Sequence, residues 1–206
     1  MIKLLVATFN QGKLKEIRKE LEGVAEVISP QDLGIKEKPE EKGSTFKENA
    51  LEKALFFSKR TELPVFAEDS GLVVPFLGGD PGVRSARFSL EGRDETNIQL
   101  LLEKMKGAAG ENRKAKFVAC GVLLAGGRLL WEGEEEVWGY ILTEKRGTGG
   151  FGYDPVFYYP PAGKTFAEMN SEEKNRVSHR GKLIRALREF LLKEGFSGFY
   201  FGEREK

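Results

Sequence analysis

Two long runs, "KAKFVACGVLLA" and "LLWEGEEEVWGYIL", flank a Gly-Gly-Arg turn at Gly126, Gly127 and Arg128. Aliphatic and aromatic runs of that length, separated by glycines, predict two long antiparallel strands. The rest of the chain must supply partners for this pair. "KLLVAT" is a short apolar run closed by polar residues, which reads as a buried strand, and "AEVIS" reads as another. Between them, "GKLKEIRKELEG" carries Leu14, Ile17 and Leu21 on one helical face, with Gly23 as a stop. Thr45 and Glu48 have capping-box spacing and open a helix through "NALEKALFFSKR". "PVFAED" and "GLVVPF" read as two further strands. "DETNIQLLLEKMKG" places Ile98, Leu101, Leu102 and Met105 on one helical face, and "GKLIRALREFLLKEG" does the same with Leu183, Leu187, Phe190 and Leu191. "PQDLGIKEKPEEKG", "GGDPGVRS" and "TEKRGTGGFGYDP" are loops or turns. Helices come early and late, with strands mixed between them. This predicts an α/β or α+β protein built on one mixed sheet rather than a regular βαβ repeat.

Composition excludes several function classes. Lys+Arg 33 against Asp+Glu 32 leaves a net charge of +1, with no general attraction to nucleic acid or an anionic membrane. Any anion must be held by a local site. The single Cys120, in the apolar run "FVACGVLLA", is expected to be a small buried hydrophobe. With one cysteine and one histidine, neither an internal disulfide nor a Cys/His zinc set can form. The opening "MIKLLVATFN" is too short an apolar run for a signal peptide or a membrane span, so a cytoplasmic location is the expectation. "GTGGFG" matches a dinucleotide fingerprint by letters, but Asp154-Pro155 follows where a helix must begin. "GKT" at Gly163 lacks the leading glycine of a P-loop, since position 158 is Tyr158.

Four stretches carry chemistry. In "TFNQGKLKE" a strand ends, polar Thr8 and Asn10 follow, and Lys13 stands in the first turn of a helix. This is an anion cradle of free N–H groups, helix dipole and point charge. A plain βα turn with a solvated lysine is the alternative. A carboxylate set comes from Glu40 and Glu41 in "KPEEKG", Glu48 in "FKEN", and Glu68 and Asp69 in "AEDSG". Hard oxygens at loop and strand ends suit magnesium. For Glu48 the competing role is the helix cap, for Glu41 simple solvation, and for Asp69 an Asx turn. In "FGYDP", Phe151 and Tyr153 flank Gly152 and form an aromatic face suited to stacking on a planar base, with Asp154 as an acceptor for a ring N–H. A hydrophobic plug under the loop is the alternative. Finally, "NRVSHRGK" spends the only histidine, His179, beside Arg180 and near Lys174. Gly181 is costly inside a helix, so a break or a close approach is expected here, leaving His179 and Arg180 as donors at the head of the last helix.

These stretches, with "TFNQGK", "EEKGSTFKENA", "AEDSGLVV", "GGDPGVRSARF", "FGYDPVFYYP" and "KTFAEMNSEEKNRVSHRGK" in this order, resemble the inosine/xanthosine triphosphate pyrophosphatase family. The resemblance runs from about residue 5 to residue 188. It implies hydrolysis of noncanonical purine nucleoside triphosphates (ITP, dITP, XTP) to the monophosphate and pyrophosphate, with Mg²⁺ as cofactor. It further implies an elongated mixed β-sheet flanked by helices, two lobes with a central cleft in a single domain over residues 1–206, and a homodimer. Carried over by position, Thr8, Asn10 and Lys13 would hold phosphates, and Ser70 would sit beside them. Glu40 and Asp69 would hold Mg²⁺, with Asp69 also activating water. Phe151, Gly152, Tyr153, Asp154, Lys174, His179 and Arg180 would bind the nucleoside. Glu68 stands where many members have Asp, and Tyr153 where some have Trp. A pyrophosphatase with another base specificity, a non-hydrolysing nucleotide sensor and a nucleic-acid binder are the competing readings. The near-zero net charge and the acidic stretches oppose the last.

Overall fold

The computed structural model describes residues 1–194. The aromatic tail "GFSGFYFGEREK", which reads as packing or interface from its composition, lies outside the described residues.

Seven strands form one sheet in the order β2-β1-β3-β4-β5-β6-β7. β1 (Ile2–Val6) pairs in parallel with β2 (Ala25–Ile28), Leu4 opposite Val27, and in parallel with β3 (Val65–Val73), Leu5 opposite Val65. Parallel neighbours need crossovers. α1 (Gln11–Glu20) supplies the first and α2 (Phe46–Ser58) the second. β4 (Lys114–Ala125) and β5 (Arg128–Ile141) are the expected long hairpin. Gly126 and Gly127 both sit at positive φ, 55° and 75°, which a two-residue hairpin loop requires. β6 (Phe157–Tyr159) pairs antiparallel with β5, and β7 (Lys164–Thr165) with β6. The sheet is therefore mixed, as the sequence predicts. α3 (Asp94–Lys104), α4 (Ser171–Val177) and α5 (His179–Glu194) complete the α-helices among the described residues.

The chain divides into two compact units. Among the described residues, the first comprises Met1–Asp69, Cys120–Glu134 and 181–194. One of its cores packs Leu5, Ala7, Val65, Ala67, Val122 and Leu124 of the sheet against Ala50, Ala54 and Phe57 of α2. The second comprises Ser70–Ala119 and Glu135–Arg180, and its core gathers Leu72, Ile98, Leu101, Met105, Phe117, Val137, Phe157 and Phe166.

Two local expectations are corrected. "PVFAED" and "GLVVPF" do not form two strands; β3 runs unbroken through Ser70 and Gly71. The acid pair lies inside the strand because each carboxylate finds a cation, as described below. The break before the last helix is real, but it falls at Ser178 (φ −70°, ψ 155°) rather than at Gly181. Ser178 caps α4 by donating its backbone N–H to the Lys174 carbonyl at 2.8 Å, and α5 opens on His179.

Candidate active site

In the first unit, the loop from β1 to α1 is set by its own side chains. The Asn10 N–H donates to Thr8 Oγ1 (3.2 Å), and Asn10 Oδ1 caps the helix by accepting from the Lys13 N–H (3.0 Å). α1 has no acid in its first turn, so its positive end is not neutralised from within. The Lys13 ammonium lies 2.7 Å from Glu68 Oε1, and the Glu68 side chain is 1% exposed. This is a buried ion pair rather than a solvated lysine.

Successive side chains of a strand point to opposite faces. Glu68 therefore shares a face with Phe66, and Asp69 shares one with Val65 and Ala67 on the α2 side. There Asp69 Oδ1 lies 3.1 Å from the Lys53 ammonium, and Oδ2 accepts from Asn49 Nδ2 at 3.2 Å. Lys53 also holds Glu41 Oε1 at 2.9 Å. Burial pushes the Lys53 ammonium down, but Asp69 and Glu41 together outweigh it and hold its pKa above the ordinary lysine value. Asn49 Oδ1 in turn accepts from the Gly43 N–H (2.8 Å), which ties the loop carrying Glu41 to α2. Asn49 and Lys53 sit one turn apart beside Ala50, Ala54 and Phe57, the buried stripe of α2. That stripe is visible in "NALEKALFF", and two polar residues set along it are the signal that could have marked them.

Glu40 is elsewhere. Its carboxylate is 75% exposed and meets Lys42 at 2.5 Å. Glu48 is the capping-box acid: it accepts from the Ser44 N–H (2.7 Å) and hydroxyl (2.8 Å) and from the Thr45 N–H (3.1 Å). These bonds hold its carboxyl below the usual range. Among the described residues, no group of three or more acidic, histidine or cysteine side chains is gathered for a metal ion. The donor chemistry nevertheless fits magnesium. Two carboxylate oxygens, from Glu41 and Asp69, lie within reach of one ammonium, and magnesium takes few protein carboxylates beside waters and phosphates.

In the second unit, Lys174 and Asp154 form a buried pair at 2.5 Å, 5% and 4% exposed. Asp154 Oδ2 also accepts from the Phe151 N–H at 2.9 Å, so this carboxylate shapes the loop. Gly150, at φ 69°, approaches Asp154 so closely that an added Cβ would collide with Oδ2. The Gly152 N–H donates to Asp94 Oδ2 at the start of α3 (2.7 Å). Phe151 is half-buried, with the Lys174 ammonium 4.5 Å and the Arg180 guanidinium 5.5 Å from its ring centre. Arg180 donates to Ser70 Oγ at 2.8 Å. His179 is buried and stacks on Phe117, centroids 4.7 Å apart and planes 7° off parallel.

The expected pair of stacking aromatics is corrected here. The Tyr153 ring belongs to the core, and its hydroxyl donates to the Ser85 carbonyl at 2.7 Å. Desolvation pushes that hydroxyl's pKa far up. Phe151 is the one aromatic of "FGYDP" outside the core. Cys120 is buried as expected, and burial with the Glu134 carboxylate keeps its thiol protonated.

The Ham1 family profile matches residues 4–190. A dITP/XTP pyrophosphatase of Thermus thermophilus is 50% identical over 194 residues, spanning 91% of each chain. This chain belongs to the Ham1 family. The Escherichia coli dITP/XTP pyrophosphatase is 43% identical over 198 residues, covering 93% of this chain and 98% of that one. Among solved structures, a HAM1 protein from Coxiella burnetii superposes with a TM-score of 0.84 at 36% identity, covering 95% of this chain and all of that one. The Ham1 match includes every residue singled out above, from Thr8 to Arg180. No helix among the described residues is long and apolar enough to cross a membrane.

Proposed function

We propose that this Ham1-family chain hydrolyses the noncanonical purine nucleoside triphosphates dITP, XTP and ITP to the monophosphate and pyrophosphate, with Mg²⁺. The observation that carries the reading is that one strand supplies both sets of groups. On β3, Asp69 enters the lysine–carboxylate network, and the next residue, Ser70, receives Arg180.

The α1 N-terminus with Thr8, Asn10 and Lys13 takes the phosphates, whose charge those N–H groups and the ammonium offset. Asp69 and Glu40 would hold the metal, with Glu41 next to Glu40 in sequence as a further acid. Bound magnesium supplies charge neutralisation across the phosphates and a more acidic water. Asp69 accepts the proton of the water that attacks the α-phosphorus, and pyrophosphate departs. At the other end, Phe151 offers a face to the base, with Gly152 and Tyr153 fixing the loop that carries it. Asp154 and Lys174 hold that loop in place. His179 and Arg180 donate to the 6-oxo group of hypoxanthine or xanthine. Adenine would set its amino group against those donors, at about 1–3 kcal/mol per unpaired group. A two-lobed domain with the nucleotide in its cleft, a homodimer and a cytoplasmic place in nucleotide-pool maintenance belong to the same proposal.

Pyrophosphate release from ITP, dITP, XTP, GTP, ATP and dUTP, with and without Mg²⁺, tests it. Metal-dependent release from the first three, falling off for ATP, is expected. Binding without release would make the chain a sensor, and preference for dUTP would move it to another base class. His179→Ala and Arg180→Ala are expected to erode the ITP-over-ATP preference more than they slow turnover.

A further inference from the structure

Lys53 has no part in the proposed chemistry, yet it is 9% exposed and holds two carboxylates at once. Its ammonium lies 2.9 Å from Glu41 Oε1 and 3.1 Å from Asp69 Oδ1, while Asn49 occupies the other Asp69 oxygen. A buried carboxylate without a cation is costly, and two facing each other more so. One ammonium therefore bridges a pair of acids drawn from the loop at 41 and from strand β3, offsetting part of their charge. The arrangement is also pinned on the loop side. Asn49, one turn before Lys53 on α2, accepts from the Gly43 N–H, so the loop cannot drift from the helix without breaking both contacts.

We propose that Lys53 is the built-in counter-cation of the metal-free site: it holds the Asp69 and Glu41 carboxylates ready and competes with the divalent ion for them. The inference rests on the reading of Asp69 as a metal ligand. A divalent ion that takes the Asp69 Oδ1 lone pairs must displace the ammonium now bonded there. Lys53 thereby lowers the protein's affinity for metal alone and leaves an ammonium beside the site once metal arrives. It is a positioning residue, acting through the carboxylates.

The test is binding of Mn²⁺ alone, followed through the free-ion electron spin resonance signal, at about pH 8 where carboxylates are ionised. Wild type, Lys53→Met and Lys53→Arg are compared. Removing a cation from a buried cluster is expected to tighten Mn²⁺ binding about tenfold or more in Lys53→Met, the Met stem keeping most of the packing. Lys53→Arg keeps the charge and is expected to stay near wild type. Equal or weaker binding by Lys53→Met, with wild type still binding Mn²⁺, overturns the counter-cation role and leaves the metal reading standing. The same holds if Arg and Met behave alike, which would mark a packing role. If no variant binds Mn²⁺ and pyrophosphate release is indifferent to metal, the metal reading itself fails and the inference falls with it. Circular dichroism of each variant separates loss of binding from loss of fold.

Discussion

The Lys174–Asp154 pair offers a quantitative test of how the loop around Phe151 is held. Both side chains are nearly solvent-free, and they meet at 2.5 Å. Breaking a buried pair by neutralising one partner strands the other charge, which costs about 3–5 kcal/mol. For a chain of this length each kcal/mol is worth about 2–4 °C, so Asp154→Asn is expected to lower Tm by about 6–20 °C. Asparagine is the right replacement because its Oδ1 can still accept from the Phe151 N–H. The loss then reports the charge and not the loop contact. Lys174→Met is expected to cost a similar amount, with a small addition from the cation lost above the Phe151 ring.

The decisive variant is the double one. Asp154→Asn with Lys174→Met leaves no buried charge at this position, so it should be more stable than either single variant. The coupling energy should exceed about 1.5 kcal/mol, well outside additivity for independent sites. Thermal melts and urea titrations of the four proteins give the cycle. Single variants that shift Tm by less than about 2 °C, or a double variant that loses the sum of both, would refute the reasoning. In that case the pair contributes as an exposed one does, and the loop around Phe151 is held by its glycines and by Asp94.

Three further outcomes follow from the same structure. Asp69→Asn is expected to keep its fold by circular dichroism and lose at least about 10²-fold in kcat for pyrophosphate release, the usual scale of a general base; near-normal turnover would remove Asp69 from the chemistry. The capping acids Glu48, Glu168 and Glu173 are all held below the ordinary glutamate value of 4.5, chiefly by hydrogen bonds from Ser44, Thr165 and Asn170. A depressed folded pKa contributes stability present above about 4.5 and lost as pH falls through the folded value. Hydrogen exchange in the first turns of α2 and α4 should therefore rise below that pH, and Glu48→Gln should flatten the trend in α2; unchanged protection would contradict the capping account. Gly150→Ala must adopt φ 69° and push its Cβ into Asp154, so it should cost about 1–2 kcal/mol from the backbone alone. A wild-type melt together with an unchanged KM would show the loop to be more tolerant than this geometry allows.

Much of the architecture is legible without coordinates because it rests on local rules. The β4–β5 hairpin follows from two apolar runs around Gly126-Gly127, and α2 follows from the Thr45–Glu48 cap. The seat of His179 and Arg180 at the head of α5 follows from local chemistry, although the break lies at Ser178 and not at the glycine. What escapes a reading of the string is each polar group whose partner lies far along the chain. Glu68-Asp69-Ser70-Gly71 reads as the end of one strand and the start of another because polarity marks surface. Lys13 and Lys53, which make burial of those acids tolerable, are remote in sequence. Tyr153, in a glycine-rich loop, looks exposed, yet the Ser85 carbonyl that accepts its hydroxyl lies 68 positions earlier. Asn49 and Lys53 look like the polar edge of an ordinary amphipathic helix until Asp69 is set beside them.

The common cause is that an unpaired charge is too costly to bury, so a buried charge always implies a partner that local pattern cannot name. Around Asp69 the partners form a closed chain: the Gly43 amide bonds to Asn49, Asn49 to Asp69, Asp69 to Lys53, and Lys53 to Glu41. Each link holds the next, so a change at Gly43, outside the chemistry, should disturb Asp69 through Asn49. The coupling runs both ways: a ligand that drew Asp69 away would leave Lys53 and Asn49 to hold the loop through Glu41 and Gly43 alone. On the proposed reading, a metal that replaced the Lys53 ammonium at Asp69 would be felt in the loop that carries Glu41, because Lys53 binds both carboxylates.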